Sequence, residues 1–438
     1  MTADIWTSVA QDPFIALIVH FIDSSWTYRH ITLDLVPFPH PHDASNISET
    51  ILKTLVEFDI LDRVNSITTD NDKAIVSSMR QLNKIIQDKF SYNFYHGRCA
   101  AHILNLVVKV FTVSNIVNAA VINIRKVCKK IKQSPLLTQT LKAYCMANNE
   151  PEIKVQLDID IRWNSKFEML KTSLKMKRSL TDVSHKEKRL SPLNENDWAV
   201  AEVVINILEM FFIATKKLEG DNSECHSSSR HYCVFMSIIQ YLNQLCSSND
   251  PNHDKFKQIF QLMKNKMDYY WNIIREYALI LNTLDPKFKL DSLDEHEKIE
   301  ARNALKSIYS NYQKQYQIKY KPTAENPTNN FSFEESIFAS RHLAVSSSAN
   351  DSELDDYLSR PRLDLKENAL SWWKQNSDKY PLLSKIAADY LGMMITSASC
   401  ERFFSICGLN ISKIRNRISC ETSKRCLSLW SWNRYSQN

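Results

Sequence analysis

Glycine is almost absent from this chain, with 4 glycines among 438 residues, whereas the usual share is roughly 7%. Tight hairpins and loops that wrap phosphate groups depend on glycine, because only glycine enters left-handed backbone conformations freely. The composition therefore favours long helices, and it excludes dinucleotide-binding and P-loop folds. Because no GxSxG or HExxH motif is present, the hydrolase classes built on those motifs find no support.

The chain is long enough for two or three folding units. Its hydrophobic share of 44% and charged share of 24% are ordinary values for a globular protein. No uninterrupted apolar run reaches the roughly 18 residues that a membrane helix needs, so we expect no membrane partner. The 10 cysteines are scattered and form no CxxC pair, which predicts reduced core residues and no structural zinc.

The first 98 residues alternate between strand and helix patterns. Three segments rich in β-branched and aromatic residues come first, divided by polar breaks. Helical spacing of apolar residues follows at 46–58, then a strand at 64–69, a helix at 73–90 and a short strand at 92–96. This order predicts an α/β fold with a ribonuclease-H-like, mixed five-stranded sheet at 1–98.

The remaining chain is predominantly helical in pattern. Residues 99–321 show apolar helical periodicity almost throughout, which predicts a large all-α insertion domain. Residues 322–356 are rich in Asn, Ser and acidic residues and lack periodicity, so we expect a flexible linker there. Residues 357–438 return to helix and are predicted to complete the sheet domain.

Three acidic residues have a context that suits metal-assisted chemistry: Asp4 in the first strand, Asp70 at the end of the fourth, and Glu401 one turn into a helix. Adjacent parallel strands would bring the two aspartates together. Three such carboxylates can hold two divalent cations for phosphodiester displacement, and oxygen ligands favour Mg²⁺ or Mn²⁺. The alternatives are an ordinary strand aspartate, a helix cap at Asp70, and a surface ion pair of Glu401 with Arg402.

Two basic stretches suit a polyanionic partner. Residues 409–438 hold six Lys and Arg against one Glu, and five basic residues lie within 125–132. A solvated helix face is an equally good interpretation of each stretch.

Several longer motifs point to one family. The motifs YPLLSKIA at 380–387, SASCERFFS at 397–405 and RNR at 415–417 resemble the C-terminal assembly signature of hAT transposases. Four upstream segments resemble the same family in the same order: TADIWTS at 2–8, TDN at 69–71, CAAHILNL at 99–106 and RWNS at 162–165. The resemblance covers nearly the whole chain.

The resemblance implies roles for individual residues. Asp4, Asp70 and Glu401 align with the catalytic, metal-binding triad, and the long gap before Glu401 corresponds to the helical insertion. The residues implied to lie near DNA are Cys99 and His102 of a CxxH motif, Arg162 and Trp163 of an Arg-Trp motif, and Arg402, Arg415 and Arg417. For Trp163 the alternatives are a core aromatic and a ring that stacks on an unpaired base. For Cys99 and His102 the alternative is a core thiol and a helix-capped histidine.

Three functions stay open at this stage. The resemblance implies a nuclear protein that binds DNA and forms a homodimer or higher homo-oligomer. The first function is therefore a transposase, which would use Mg²⁺ or Mn²⁺ if active. Typical members begin with a zinc-binding BED finger, whereas this chain starts just before the first aspartate, so sequence-specific DNA binding and enzyme activity are uncertain. The second function is a catalytically silent, domesticated DNA-binding or interaction protein, and the third is a purely structural helical protein.

The C-terminal region is also predicted to self-associate. Its apolar residues between 382 and 429 outnumber what one helix face needs. Trp430 and Trp432 are expected at a contact with the insertion domain or a second subunit, because large aromatics often anchor interfaces.

Overall fold

The computed structural model divides into two compact units. The sheet unit holds Met1–Arg98, Asp221–Tyr232 and Ile274–Asn438, and the helical unit holds Cys99–Gly220 and Cys233–Ile273. Residues 274–319 thus group with the sheet unit, unlike the single insertion at 99–321 that the sequence predicts. The structure describes residues 1–8, 11–38, 41–90, 94–158, 163–188, 190–219, 228–319, 350–410 and 420–436.

The sheet unit is built on five strands in the order β3-β2-β1-β4-β5. The strands are β1 (Thr2–Thr7), β2 (Pro13–Ile22), β3 (Tyr28–Pro37), β4 (Ser66–Thr69) and β5 (Tyr95–Arg98). The first three pair antiparallel, and β4 pairs parallel with both β1 and β5. Helix α1 (Ala44–Glu57) precedes β4, and helix α2 (Lys73–Phe90) connects β4 to β5. This mixed sheet confirms the predicted fold class.

Strand β2 is apolar at nearly every position because both faces of the sheet are covered. Ile15 and Leu17 pack into the cluster formed with α1 and α2. Phe14 and Ala16 point to the opposite face and pack into a cluster with residues of a C-terminal helix. Side chains alternate between faces along a strand, so a continuous apolar run is what a strand covered on both sides requires.

The helical unit contains only helices among its described residues. They are α3 (Ala100–Thr112), α4 (Asn115–Gln133), α5 (Pro135–Ala147), α6 (Trp163–Leu174), α7 (Lys177–Lys186), α8 (Glu195–Glu219), α9 (Arg230–Cys246), the 3₁₀ helix Pro251–Phe256 and α10 (Lys257–Leu284). Helices α9 and α10 each continue into the sheet unit.

Helix α8 is long and apolar enough in composition to cross a membrane. It packs, however, against α3, α4 and α6, and 56% of its most apolar stretch is buried. This is the pattern of a core helix in a helical bundle.

The remaining helices belong to the sheet unit. They are α11 (Glu295–Lys319), α12 (Asn350–Ser359), α13 (Ala369–Asn376), α14 (Pro381–Leu391), α15 (Ala398–Asn410) and α16 (Cys420–Ser436). Most of the predicted linker, 322–349, lies outside the described residues. Its last part is helical rather than a loop, because Leu354 of α12 and the adjacent Tyr357 are buried in a cluster with Trp373 and Tyr380.

Candidate functional site

Asp4 lies on β1, and Asp70 directly follows the neighbouring strand β4. Strand β1 pairs parallel with β4, and the register sets Thr2 opposite Thr68. Asp4 and Asp70 each follow these partners by two residues. The prediction that adjacent parallel strands bring the two aspartates to one edge of the sheet is therefore confirmed.

The carboxyl group of Asp4 has a raised pKa. Its side chain accepts a hydrogen bond from the backbone N–H of Ile5 at 2.9 Å. Burial, and then the negative charge of Asp70, raise the pKa of Asp4 to about 7; the Ile5 bond opposes this shift, and the charge of Glu401 adds to it. Asp70, directly after β4, and Glu401, on a C-terminal helix, therefore both lie close enough to Asp4 to act on its carboxyl group.

Asp70 is not the cap of the helix that follows it. The N–H of Ala74 donates to the Asp72 carboxylate at 2.8 Å, so Asp72 caps α2. Asp70 instead accepts from the backbone N–H of Asp72 at 3.0 Å. This turn fixes Asp70 directly after β4 and leaves its second carboxylate oxygen for another role.

Glu401 lies in the first turn of α15, as predicted, since the N–H of Cys400 and of Glu401 both donate to the carbonyl oxygen of Ser397. The apolar side of α15 is anchored on the sheet. Phe404 stacks on Trp6 with 5.6 Å between ring centroids, and Phe403 is buried in the same cluster as strand β2. The other side of the helix exposes Glu401.

The oxygen ligands of the triad are of the type that magnesium prefers, but the three carboxylates are not grouped as closely as in a metal site. All three ligands are hard carboxylate oxygens, and they repel one another, a repulsion that a divalent cation would relieve. Within the described part of the chain, however, no group of three His, Cys, Asp or Glu is close enough to hold a metal ion. The carboxylates approach one another without forming a closed coordination shell.

The residues implied to lie near DNA fall in different places. Cys99 precedes α3 and is buried, whereas His102 is half-buried one turn later. Trp163 begins α6 and is 6% exposed, so it is packed as a core aromatic and offers little ring area for stacking on a base. Arg402 is exposed next to Glu401.

The other three implied DNA contacts, Arg162, Arg415 and Arg417, lie outside the described residues. Cys99, His102 and Trp163 belong to the helical unit, whereas the acidic triad belongs to the sheet unit.

The C-terminal helix packs on its own sheet. The indole nitrogen of Trp432 donates to the carbonyl oxygen of Thr32 in β3 at 2.8 Å, and Lys424 forms an ion pair with Asp34 of the same strand. Trp432 is thus anchored on its own sheet, although 38% of the residue stays exposed, and its contact with the insertion domain or a second subunit stays a prediction. A helix that covers an edge strand needs such anchors within the chain.

Sequence reasoning missed four polar residues next to the triad: Thr2, Thr68, His20 and Ser399. They are buried and hydrogen-bonded across the elements that carry the carboxylates. A signal was present, since both aspartates occur in the pattern Thr-x-Asp.

Four family models match successive parts of the chain. Residues 2–93 match the ZBED1 RNase-like domain and residues 97–207 the ZBED1 RNase-like helical domain. Residues 230–318 match the RNase-H fold of hAT-like transposases, and residues 353–433 match the hAT family C-terminal dimerisation region. Together they span most of the described residues of both units.

Curated relatives agree with these matches. A putative AC transposase of Zea mays is 24% identical over 98% of this chain and 56% of its own length. Zinc finger BED domain-containing protein RICESLEEPER 1 of Oryza sativa subsp. japonica is 24% identical over 90% of this chain and 59% of its own length. DAYSLEEPER of Arabidopsis thaliana is 23% identical over 99% and 63%. This chain thus spans under two thirds of the length of these relatives. The matches show an hAT dimerisation region, a region similar to the RNase-H fold of hAT-like transposases and two ZBED1-like regions, and the relatives include AC transposases and BED zinc finger proteins.

Proposed function

We propose that this chain is the catalytic and assembly part of an hAT transposase that cuts and joins DNA, with Asp4, Asp70 and Glu401 as its acidic triad. The observation that carries the proposal is that Asp70 and Glu401, which come from two other elements, both raise the pKa of Asp4. Like charges held close together destabilise a protein, and carboxyl groups with perturbed pKa values concentrate at active sites.

In this proposal the triad holds Mg²⁺ or Mn²⁺. When bound, the ions supply an activated water or 3′-hydroxyl and stabilise the leaving oxygen. Asp4 is partly protonated at neutral pH, because its pKa is about 7. A cation therefore competes with a proton for this carboxylate, and activity should rise with pH through that range.

The partners in this proposal are DNA and a second copy of the chain, and the location is the nucleus. The dimerisation region at 353–433 supports self-association, and the relatives named as transposases and BED zinc finger proteins support a DNA-directed role.

The second candidate is a catalytically silent, transposase-derived protein. It is favoured by one observation: among the described residues, no three carboxylates are close enough to hold a metal ion. The two candidates predict opposite results in a cleavage assay.

The test is conversion of a supercoiled plasmid to nicked and linear forms in Mg²⁺ or Mn²⁺, followed by strand transfer of duplex ends that carry the terminal repeats of the locus. The intact chain should be active, and Asp4→Asn and Glu401→Gln should each lose at least about 100-fold, since the triad acts as a unit. Asp88→Asn is the matched control, because Asp88 is an exposed carboxylate on α2.

A folded chain that binds plasmid DNA but leaves it intact in both metals would support the silent candidate. Equal activity in the triad variants and in Asp88→Asn would assign the cleavage to a contaminant.

A further inference from the structure

Two threonines lie side by side under the acidic triad. Thr2 of β1 and Thr68 of β4 are direct partners in the parallel register, and each precedes a triad aspartate by two residues. Both side chains are buried, with 0% and 2% exposure. A polar side chain at such a position needs a hydrogen-bond partner, because an unsatisfied buried hydroxyl costs about 1–3 kcal/mol.

Both hydroxyl groups contact the segment that leads to Glu401. The Thr68 hydroxyl donates to the carbonyl oxygen of Met394 at 2.5 Å. The Thr2 hydroxyl lies 3.0 Å from the hydroxyl of Ser399, two residues before Glu401. The segment 394–399 is therefore hydrogen-bonded to both strands that carry the aspartates.

A histidine completes the network on the β1 side. The Nε2 atom of His20 lies 2.9 Å from the Thr2 hydroxyl, and its Nδ1 atom lies 2.5 Å from the hydroxyl of Tyr28. Burial holds the pKa of His20 well below its usual value, so the ring is neutral and has one donor and one acceptor. Both ring nitrogens have partners, which fixes the ring between Thr2 of β1 and Tyr28 of β3.

The space on the β4 side depends on a glycine. Gly97 of β5 is the register partner of Thr68, and a Cβ atom at Gly97 would lie 2.4 Å from the Thr68 hydroxyl. Any larger residue would push this hydroxyl away from Met394. The network therefore requires one of the 4 glycines of the chain at this position.

We propose that Thr2, Thr68 and Ser399 are positioning residues that set the place of Glu401 relative to Asp4 and Asp70. The inference rests on the proposed function of the triad. Apolar contacts such as that of Phe404 with Trp6 hold α15 on the sheet, but they allow sliding, because dispersion has little directionality. Short buried hydrogen bonds allow one spacing only, and a functional site needs its ligands held to within about 0.5 Å.

The test compares variants that lose the hydroxyl group with variants that keep it. Thr2→Val and Thr68→Val delete the hydroxyl, whereas Thr2→Ser and Thr68→Ser retain it. Thr54→Val is the matched control: Thr54 is equally buried, but its hydroxyl bonds within α1, to the carbonyl oxygen of Thr50.

Two properties of the full chain are measured: Mn²⁺ affinity by calorimetry, and hydrogen–deuterium exchange of the peptide covering 394–404. The Val variants should bind Mn²⁺ about 10-fold more weakly and exchange faster in this peptide. The Ser variants and Thr54→Val should match the parent in both. Rescue by serine separates a positioning role from a simple packing role.

Should Thr2→Val fail to fold, Ser399→Ala removes the contact between the Thr2 and Ser399 hydroxyl groups from the side of α15. Its control is Ser405→Ala on the same helix, where the hydroxyl bonds only to the backbone oxygen of Glu401.

If the parent binds Mn²⁺ and the Val and Ser399→Ala variants bind and exchange as the parent does, the positioning inference is overturned and the proposed function stands. If the parent binds no Mn²⁺, the proposed function fails. The exchange data then decide the inference alone: faster exchange in the hydroxyl-deleted variants supports the placement of Glu401, and unchanged exchange overturns it.

Discussion

The ammonium group of Lys424 lies 2.8 Å from the carboxylate of Asp34, and this ion pair joins the C-terminal helix to strand β3. The Asp34 side chain is 4% exposed and the Lys424 side chain 26%. The basic character of the C-terminal tail is thus partly a requirement of folding. Arg425 is likewise paired, with Glu421 on the same helix.

Removing Lys424 should destabilise the chain more than removing its neighbour. Lys424→Met leaves a buried carboxylate without a cation, which we expect to cost about 2 kcal/mol, below the usual 3–5 for a fully buried pair because Lys424 is partly exposed. Arg425→Met removes an exposed pair and should cost less than about 0.5 kcal/mol. Calorimetric unfolding measures both. Equal melting temperatures of the two variants would contradict this assignment, and Asp34→Asn combined with Lys424→Met should recover part of the loss.

The pH dependence of stability should carry the signature of Asp4. Its folded-state pKa of about 7 exceeds the ordinary value of 3.8, so the folded chain binds the proton more tightly than the unfolded chain does. Stability contributed by this group therefore falls as the pH rises from about 4 to about 7. Asp4→Asn should raise the free energy of unfolding by about 1–3 kcal/mol at pH 8 and leave it unchanged below about pH 4.

Melting curves of parent and variant across this pH range make the measurement. Millimolar Mg²⁺ should reduce the difference in stability between the parent and Asp4→Asn at pH 8, because it stabilises the parent alone. Parallel curves with a constant offset would show that the effect is steric and not electrostatic.

Lys289 should be a major stabilising residue of the sheet unit. Its ammonium donates to the carbonyl oxygens of Tyr357 at 2.7 Å and Arg360 at 2.9 Å and lies 4.5 Å from the centre of the Tyr357 ring. Lys289→Met should cost about 2–4 kcal/mol, because it leaves the buried carbonyl group of Tyr357 and the partly buried one of Arg360 without this donor. Lys298→Met is the matched control, since Lys298 pairs with an exposed glutamate on α11.

Lys289 should also make the stability of the chain depend on pH in alkaline solution. Burial lowers the pKa of Lys289 from 10.5 to about 8, so between these values the unfolded chain binds more protons. Stability contributed by Lys289 should then rise with pH from about 8 to about 10.5, and urea unfolding at several pH values should show this slope in the parent but not in Lys289→Met. An identical slope in both proteins would assign it to another group.

Self-association should depend on the last two helices. Leu409 of α15 and Leu429 of α16 are 79% and 55% exposed, and both lie in the matched dimerisation region. Leu409→Asp with Leu429→Asp should shift the chain towards monomer in sedimentation at micromolar concentration. Leu365→Asp is the control, because Leu365 is 65% exposed in the same region but outside these helices.

Equal masses of the parent, the double variant and the control would contradict this interface. Truncation before Tyr380 is a poorer test, because Tyr380 and Leu383 are buried in the core of the sheet unit and their loss would unfold it.

Local patterns determined the elements of the sheet unit. Strands β1 to β5 and helices α1 and α2 follow the predicted order, because alternation with period two and apolar spacing near 3.6 are properties of each segment alone. Asp4 and Asp70 could be chosen for the same reason, since Asp4 lies on a strand that the sequence predicts and Asp70 directly follows another. The resemblance to hAT transposases, which the comparisons support, added Glu401.

Tertiary structure alone decided which partner each apolar face covers. The pattern in the C-terminal helices shows that residues such as Phe403 and Leu427 are buried, but the same pattern fits a second subunit as well as the sheet face of β2 and β3, on which they pack. The approach of Glu401 to Asp4, the pairing of Lys424 with Asp34 and the contacts of Thr2 and Thr68 with segment 394–399 join residues more than 300 positions apart in the chain. Such contacts depend on the packing of whole elements, because a sequence pattern reports how its own segment is buried and carries no distance to another segment.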